Sequence, residues 1–205
     1  MARKTIAEAA QTRLALMDAG IDVFARQGYV NATLEMIAQH AQMSRGAVYW
    51  HFKGKQALLQ DILDKNLLPF ELFLSSGSSL HGGIHELRSA ILATFEHQRS
   101  RQLCEIMLCS NEGGASLSPV TVRFRQAQSR LCDQIKQMLV RAIDRGEVSS
   151  SLNIVATCQL LRIYLAGLIL ECSSQEVRAS ELIVSSFETM TALFYQPASW
   201  LNPTS

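Results

Sequence analysis

Apolar residues recur every three or four positions along most of the chain, the period of helices that bury one face. The first run predicts a helix from about Ala7 to Gln27. Leu14, Met17, Ile21 and Phe24 form its stripe, and Gly28 stops it after Arg26. Between Thr33 and Leu59 the pattern becomes more specific. Thr33 is a helix N-cap, and Leu34, Ile37, Ala38 and Ala41 follow on one face. Gln42 and Met43 break the run. Ser44 is a second N-cap, and Val48 and Phe52, four apart, share a face. Arg45, Gly46, Tyr49 and Lys53 then fall on a neighbouring, outward arc. Two short helices across a tight turn make a helix-turn-helix, whose second helix is suited to the DNA major groove.

The rest of the chain keeps the helical period. Lys55 begins a helix carrying Leu58, Leu59, Ile62, Leu63 and Leu67, which Pro69 ends or kinks. Ser75–Ser79 and Gly82-Gly83 read as loop. Helices follow over about Ile84–Gln98 and Arg101–Ser110, then a loop at Asn111–Ser116 and a break at Pro119. A long helix, about Val120–Arg145, has a stripe of Phe124, Gln128, Leu131, Ile135, Met138, Leu139 and Ala142. Gly146 stops it, and its arginines read as a solvated face. The segment from Ile154 to about Leu170 is apolar nearly all round, which predicts burial on both sides. The last helix, about Glu176–Tyr195, carries Leu182, Ile183, Phe187, Met190 and Phe194. With its neighbour it can offer an apolar face to a second copy. No strand pattern or repeat is present. The expected fold is all-α with about nine helices, divided into residues 1–54 and 55–205, followed by a loosely ordered tail from Gln196.

Composition adds three constraints. Apolar residues make up 48% and charged residues 18% of the 205 positions, enough for a sizeable core. No window holds 18 consecutive apolar residues and no apolar segment follows the basic N-terminus, so neither a membrane span nor a signal peptide is expected, and the compartment is cytoplasmic. The net charge of +1 is uneven. Residues 1–55 hold seven Lys/Arg against four Asp/Glu, and residues 56–205 hold twelve against fourteen. A modestly basic N-terminal part fits a DNA-contacting module. The five cysteines form no Cys-x-x-Cys pair and read as buried apolar side chains, with a redox switch as the alternative.

No catalytic constellation, phosphate loop or dinucleotide fingerprint is present, so an enzyme is not expected. The five histidines are scattered; His81 and His85, four apart, do not make a metal site on their own. No metal or cofactor is expected.

The segment Ser44-Arg45-Gly46-Ala47-Val48-Tyr49-Trp50-His51-Phe52, with Lys53-Gly54-Lys55 and Leu58-Leu59, resembles the signature of TetR-family transcriptional regulators, in the AcrR-like branch of multidrug-efflux repressors. Met1–Thr5 and Thr12-Arg13 fit that branch, and the match covers about residues 1–65. The family usually has Gly where this chain has Gln42, because the backbone there is left-handed, which costs a non-glycine residue about 1–2 kcal/mol. The resemblance implies that Thr33, Tyr49, His51 and Lys55 hold DNA phosphates. The residues themselves suggest that Ser44 caps the recognition helix and contacts the backbone, and that Arg45 reads guanine. Gly46 admits the DNA closely, and Tyr49 meets a thymine methyl or a phosphate; Trp50 is a contact or a packing residue.

The resemblance also implies a small-molecule cavity and a dimer interface in the C-terminal bundle. Polar Glu112, Gln128 and Tyr164 on otherwise apolar faces, with Phe95, Met107 and Leu131, are the candidate lining. The branch's Trp after Gly-Leu is absent from Gly167–Cys172. The expected function is a repressor of a multidrug efflux operon, homodimeric through its last two helices, released from palindromic double-stranded operator DNA by an apolar or cationic effector. A catabolic or biosynthetic operon, or a cysteine-switched regulator, is the alternative.

Overall fold

The computed structural model describes residues 6–74, 79–109, 119–174 and 178–195. The lead-in Arg3-Lys4-Thr5, the loop carrying Glu112 and the tail from Gln196 lie outside the described residues. Among those described there are nine α-helices, one 3₁₀ turn and no strand. They group into two compact units, residues 1–67 with 101–125 and residues 68–100 with 126–205.

In the first unit, α1 (Ile6–Asn31), α2 (Leu34–His40), α3 (Arg45–His51) and α4 (Lys55–Lys65) enclose a core of Leu16, Ile21, Phe24, Ile37, Val48, Phe52, Leu58 and Ile62, each at most 2% exposed. Burying each of these side chains stabilises the unit by about 1.5–3 kcal/mol. At Gly20, a Cβ would stand 3.0 Å from Ile62 and 3.2 Å from Leu58, so the missing side chain lets α1 and α4 approach closely. Gly28 leaves the helical region at φ 71°, as the expected stop requires, and one further turn follows it. Leu14 departs from expectation: it is 52% exposed, because the buried stripe runs through Leu16, Met17, Gly20 and Phe24. Leu67 also departs, lying beyond the end of α4 and 47% exposed.

The helices α6 (Gln98–Cys109) and α7 (Pro119–Asp144) each run from one unit into the other along the chain. In the first unit, α6 buries Leu103, Cys104, Ile106 and Met107. Pro119 is no interruption of α7; it occupies the first turn, where its missing N–H has no helical partner. Not all the α7 arginines are solvated. Arg123 is 8% exposed and donates to the carbonyls of Leu63 and, at 2.6 Å, Asn66. It thereby satisfies backbone oxygens that the end of α4 leaves without partners.

In the second unit, Pro69 opens a 3₁₀ turn, Pro69–Leu72, in which the Glu71 carboxylate accepts from the Leu68 N–H at 2.7 Å. Gly82 and Gly83 are helical, since Ser79 caps α5 (Leu80–Glu96) by accepting from the Gly82 N–H at 3.0 Å. α5 packs against α9 (Ala179–Tyr195), and α9 against α8 (Ile154–Ser174).

The expectation for α8 fails most clearly. Only one side is buried, by Leu161, Leu165, Leu168, Ile169 and Cys172. Val155, Leu160, Ile163 and Leu170 are 60–66% exposed. The mean hydropathy of Ile154–Ser173 is 1.6, long and apolar enough by composition to cross a membrane. Periodicity reports how apolar a helix is, and this helix has two apolar faces of which the chain covers one. In α9 the reverse holds, because Ile183, Phe187 and Met190 all point into the protomer.

The turn between α2 and α3 closes fully despite its glutamine. Gln42 adopts φ 54°, its N–H reaches the Gln39 carbonyl at 3.0 Å, and the Met43 N–H reaches Ala38 at 2.9 Å. This is the paired bonding that ordinarily places glycine after a helix end. Gln42→Gly is expected to stabilise the protein by about 0.5–1 kcal/mol, the relief of the left-handed backbone exceeding the added freedom of the unfolded chain. Urea denaturation measures this, and a lower midpoint for the variant would contradict it.

Candidate nucleic-acid interface

The helix α3 is only seven residues long and is capped at both ends. Ser44 Oγ accepts from the Ala47 N–H at 3.2 Å, as Thr33 Oγ1 does from Met36 at the start of α2. Val48 is fully buried and Phe52, just beyond the helix, is 2% exposed, so these two residues fix which face turns outward. That outward face carries exposed Ser44, Arg45, Gly46, Tyr49 and Trp50, with His51 half-buried at its end. Trp50 is 73% exposed, with its ring edge-on to His51 at 4.5 Å, so it is not a core residue. Gly46 has open space around it, with only the Ser44 hydroxyl 3.9 Å from where a Cβ would stand. A backbone left bare in this way permits close approach of a partner. Thr33, also exposed, lies across the turn.

Arg45 and Tyr49 share one carboxylate. Glu35 Oε1, on α2, accepts from Arg45 Nε at 3.0 Å and from the Tyr49 hydroxyl at 3.4 Å. The Arg45 guanidinium lies 5.4 Å from the Tyr49 ring centre. Two donors that suit base edges or phosphates are therefore held side by side in the free protein.

Lys55 is differently placed. Its ammonium donates to the carbonyls of Tyr29, Val30 and Ala32 at 2.6, 3.0 and 2.9 Å, and lies 4.5 Å from the Tyr29 ring centre. All three donors of the group are used, tying the end of α1 to the start of α4. Burial lowers the pKa of this ammonium and raises that of the Tyr29 phenol.

The largest organiser of the interface, Arg13, was not among the expected contacts. Its guanidinium forms an ion pair with Asp61 on α4, donates to the His51 carbonyl at 2.7 Å and covers the Phe52 ring at 4.4 Å. One side chain thus joins α1, the end of α3 and α4. Its partners lie 38 and 48 residues away, and the only local hint is a charged residue at the edge of an apolar stripe.

The expected ligand residues are more scattered. Met107 is buried in the first unit, while Phe95 is buried and Gln128, Leu131 and Tyr164 are half-buried in the second. Glu112 lies outside the described residues. The Tyr164 hydroxyl is buried facing Ser186, without a hydrogen bond of good geometry. Burial raises its pKa, which keeps the phenol protonated at neutral pH. A cleft of about 240 Å³ between α5 and α9 contains none of the six residues; Phe187, on its wall, meets Tyr164 edge-on at 6.3 Å. No group of three metal-ligating side chains occurs among the described residues. Burial pushes the thiols of Cys132 and Cys158 up and that of Cys172 up to about 11, which disfavours the reactive thiolate.

Comparison with known proteins adds an independent line. The model of bacterial regulatory proteins of the tetR family matches residues 16–62. The transcriptional regulator SrpR of Pseudomonas putida is 32% identical over 201 residues, spanning 98% of this chain and 93% of its own. The regulator AcrR of Shigella flexneri is 32% identical over 178 residues, covering 82% of this chain and 81% of its own. Among solved structures, SmeT, the repressor of the Stenotrophomonas maltophilia multidrug efflux pump SmeDEF, matches with a TM-score of 0.68 at 25% identity, over 94% of each chain.

The geometry of Lys55 gives a measurable expectation. Lys55→Ala should lower stability by about 1.5–3 kcal/mol, the usual contribution of hydrogen bonds to a charged donor. A pure phosphate contact would leave the urea midpoint of the free protein unchanged.

Proposed function

The chain belongs to the TetR family of bacterial transcriptional regulators and is a repressor, not an enzyme; from that premise we propose that it represses a multidrug efflux operon and is released by a small apolar or cationic effector. The observation that carries the DNA half of this reading is the outward face of α3, where Arg45, Gly46, Tyr49 and Trp50 stand exposed on a helix fixed from behind by Val48, Phe52 and Arg13. Arg45 donates to guanine in the major groove; the Tyr49 ring packs on a thymine methyl, or its hydroxyl donates to a phosphate. Ser44, Thr33 and His51 lie along the backbone-facing rim and fix the register. Lys55 contributes by holding the α1 end against α4, its geometry favouring that over a direct phosphate contact.

The protein acts as a homodimer in the cytoplasm. Ala156, Leu160, Ile163, Gly167 and Leu170 form an outward apolar stripe on α8, and nothing lies within 4 Å of a Cβ built at Gly167. A contiguous patch of this kind on a soluble protein favours a partner surface. Arg162 beside the stripe and the α8 residues packed inward favour a protein partner over lipid. A two-fold pair of recognition helices reads a near-palindrome.

The effector reading rests on the relatives and on the second unit. SmeT represses a multidrug efflux pump, and a structure of it contains triclosan. Phe95 and Leu131 supply apolar lining, and the buried Tyr164 phenol and Gln128 supply polar anchors. An effector shifts the protein off DNA only by binding the DNA-free conformation more tightly. The protonated thiols favour this reading over a cysteine switch.

The test is release of selected operator DNA by a panel of cationic dyes, neutral aromatic drugs and small organic acids. Dyes and drugs are expected to release it; release by a polar metabolite alone would assign the repressor to a catabolic or biosynthetic operon. Arg45→Ala is expected to cost about 1–3 kcal/mol and to relax preference at one base pair, read by binding-site selection. Unchanged affinity and preference would sink the assigned groove face. Leu160→Asp is expected to give folded monomers by sedimentation, with weak operator binding. A variant that stays dimeric would exclude α8 as the interface.

A further inference from the structure

We propose that the cleft between α5 and α9 is a separate ligand site, for a small aromatic carboxylate that also carries a hydrogen-bond donor. The proposal concerns residues that the effector reading does not use. His81, Ile84, His85 and Arg88 line one wall of the cleft from successive turns of α5, and Phe187, Glu188 and Thr191 line the other from α9. Its volume, about 240 Å³, falls below the roughly 300–1,000 Å³ of sites for drug-sized molecules.

The wall from α5 specifies an anion. Arg88 Nε is buried and has no hydrogen-bond partner among the described residues. A buried donor left unpaired is destabilising until an acceptor reaches it. The guanidinium fork matches a planar carboxylate through two parallel hydrogen bonds, and His81 and His85 add donors at the exposed rim. These two histidines do not form a metal site, since no third ligand joins them among the described residues.

The floor is apolar and suits a flat ring. Ile84 and Phe187 are 5% and 1% exposed, and the Phe187 ring is held edge-on by Tyr164 at 72°. The wall from α9 specifies the donor. Glu188, exposed on this wall, would repel a bare anion unless the ligand also offers it a proton. Thr191 gives its hydroxyl proton to the Phe187 carbonyl at 2.7 Å, so its oxygen faces the ligand as an acceptor. A carboxylate at Arg88, a ring on the apolar floor and an amine or hydroxyl toward Glu188 and Thr191 satisfy every group.

Isothermal titration of the full chain with 4-aminobenzoate, benzoate, benzamide and benzylamine tests this. 4-Aminobenzoate should bind tightest, with benzamide and benzylamine at least tenfold weaker. Arg88→Met should weaken 4-aminobenzoate at least tenfold, and Glu188→Gln should abolish its advantage over benzoate. Equal binding of benzamide, or unchanged binding by Arg88→Met, would overturn the proposal. If Arg88→Met fails to fold, Glu188→Gln decides: it alters an exposed position, and an unchanged preference for 4-aminobenzoate over benzoate would overturn the site. Operator release by dyes is scored on the same Glu188→Gln protein, so loss of this site and loss of the efflux effector reading give separate results.

Discussion

A helix of seven residues does not hold itself together in water, because the cost of nucleation exceeds what so few hydrogen bonds return. Everything the interface presents therefore depends on what grips α3 from outside. Val48 and Phe52 bury its inner face, and Arg13 grips its end. The Arg13 guanidinium satisfies a C-terminal carbonyl, where the helix dipole also favours a cation, and its pair with Asp61 fixes the direction of approach. Its cover over Phe52 removes that ring from water. Lys55 repeats the device at the end of α1, closing three carbonyls with one ammonium. Arg13 thus holds the recognition helix at its end, while Lys55 fixes the neighbouring end of α1 against α4.

Much of this unit was legible from local pattern. Thr33 and Ser44 cap helices because a short side-chain oxygen reaches the N–H three residues on, a purely local rule. The four-residue spacing of Val48 and Phe52 sets the buried face by the same logic. Gln42 was legible as a left-handed position only through the family pattern, and its turn closes anyway. Arg13 was not legible, because its partners are distant in sequence and a lone arginine beside an apolar stripe usually snorkels into water. Arg123 hid for the same reason: among four arginines on α7, spacing does not show which one finds bare carbonyls.

The second unit yielded less. The uniform hydrophobicity of α8 predicts burial on both sides, but hydropathy does not distinguish a face covered by the same chain from one left exposed. The start of α5 was misplaced because two glycines suggested a loop, whereas Ser79 supplies the cap that carries the helix through them. The α5–α9 cleft left no mark in the sequence. Its walls come from helices about a hundred residues apart in the chain, and His81 and His85 point to nothing until Arg88 and Glu188 are seen beside them.

The pairing of Arg45 with Glu35 bears on how such an interface can be both ordered and available. Both side chains are largely exposed, 69% for Arg45 and 47% for Glu35. Exposed ion pairs of this kind contribute about 0–1 kcal/mol. A bidentate contact from arginine to guanine discriminates by about 1–3 kcal/mol. In the proposed contact, breaking the internal pair costs less than a guanine would return. The carboxylate thus orders Arg45 and Tyr49 in the free protein, and at an exposed pair of this strength the guanidinium remains available to a stronger acceptor.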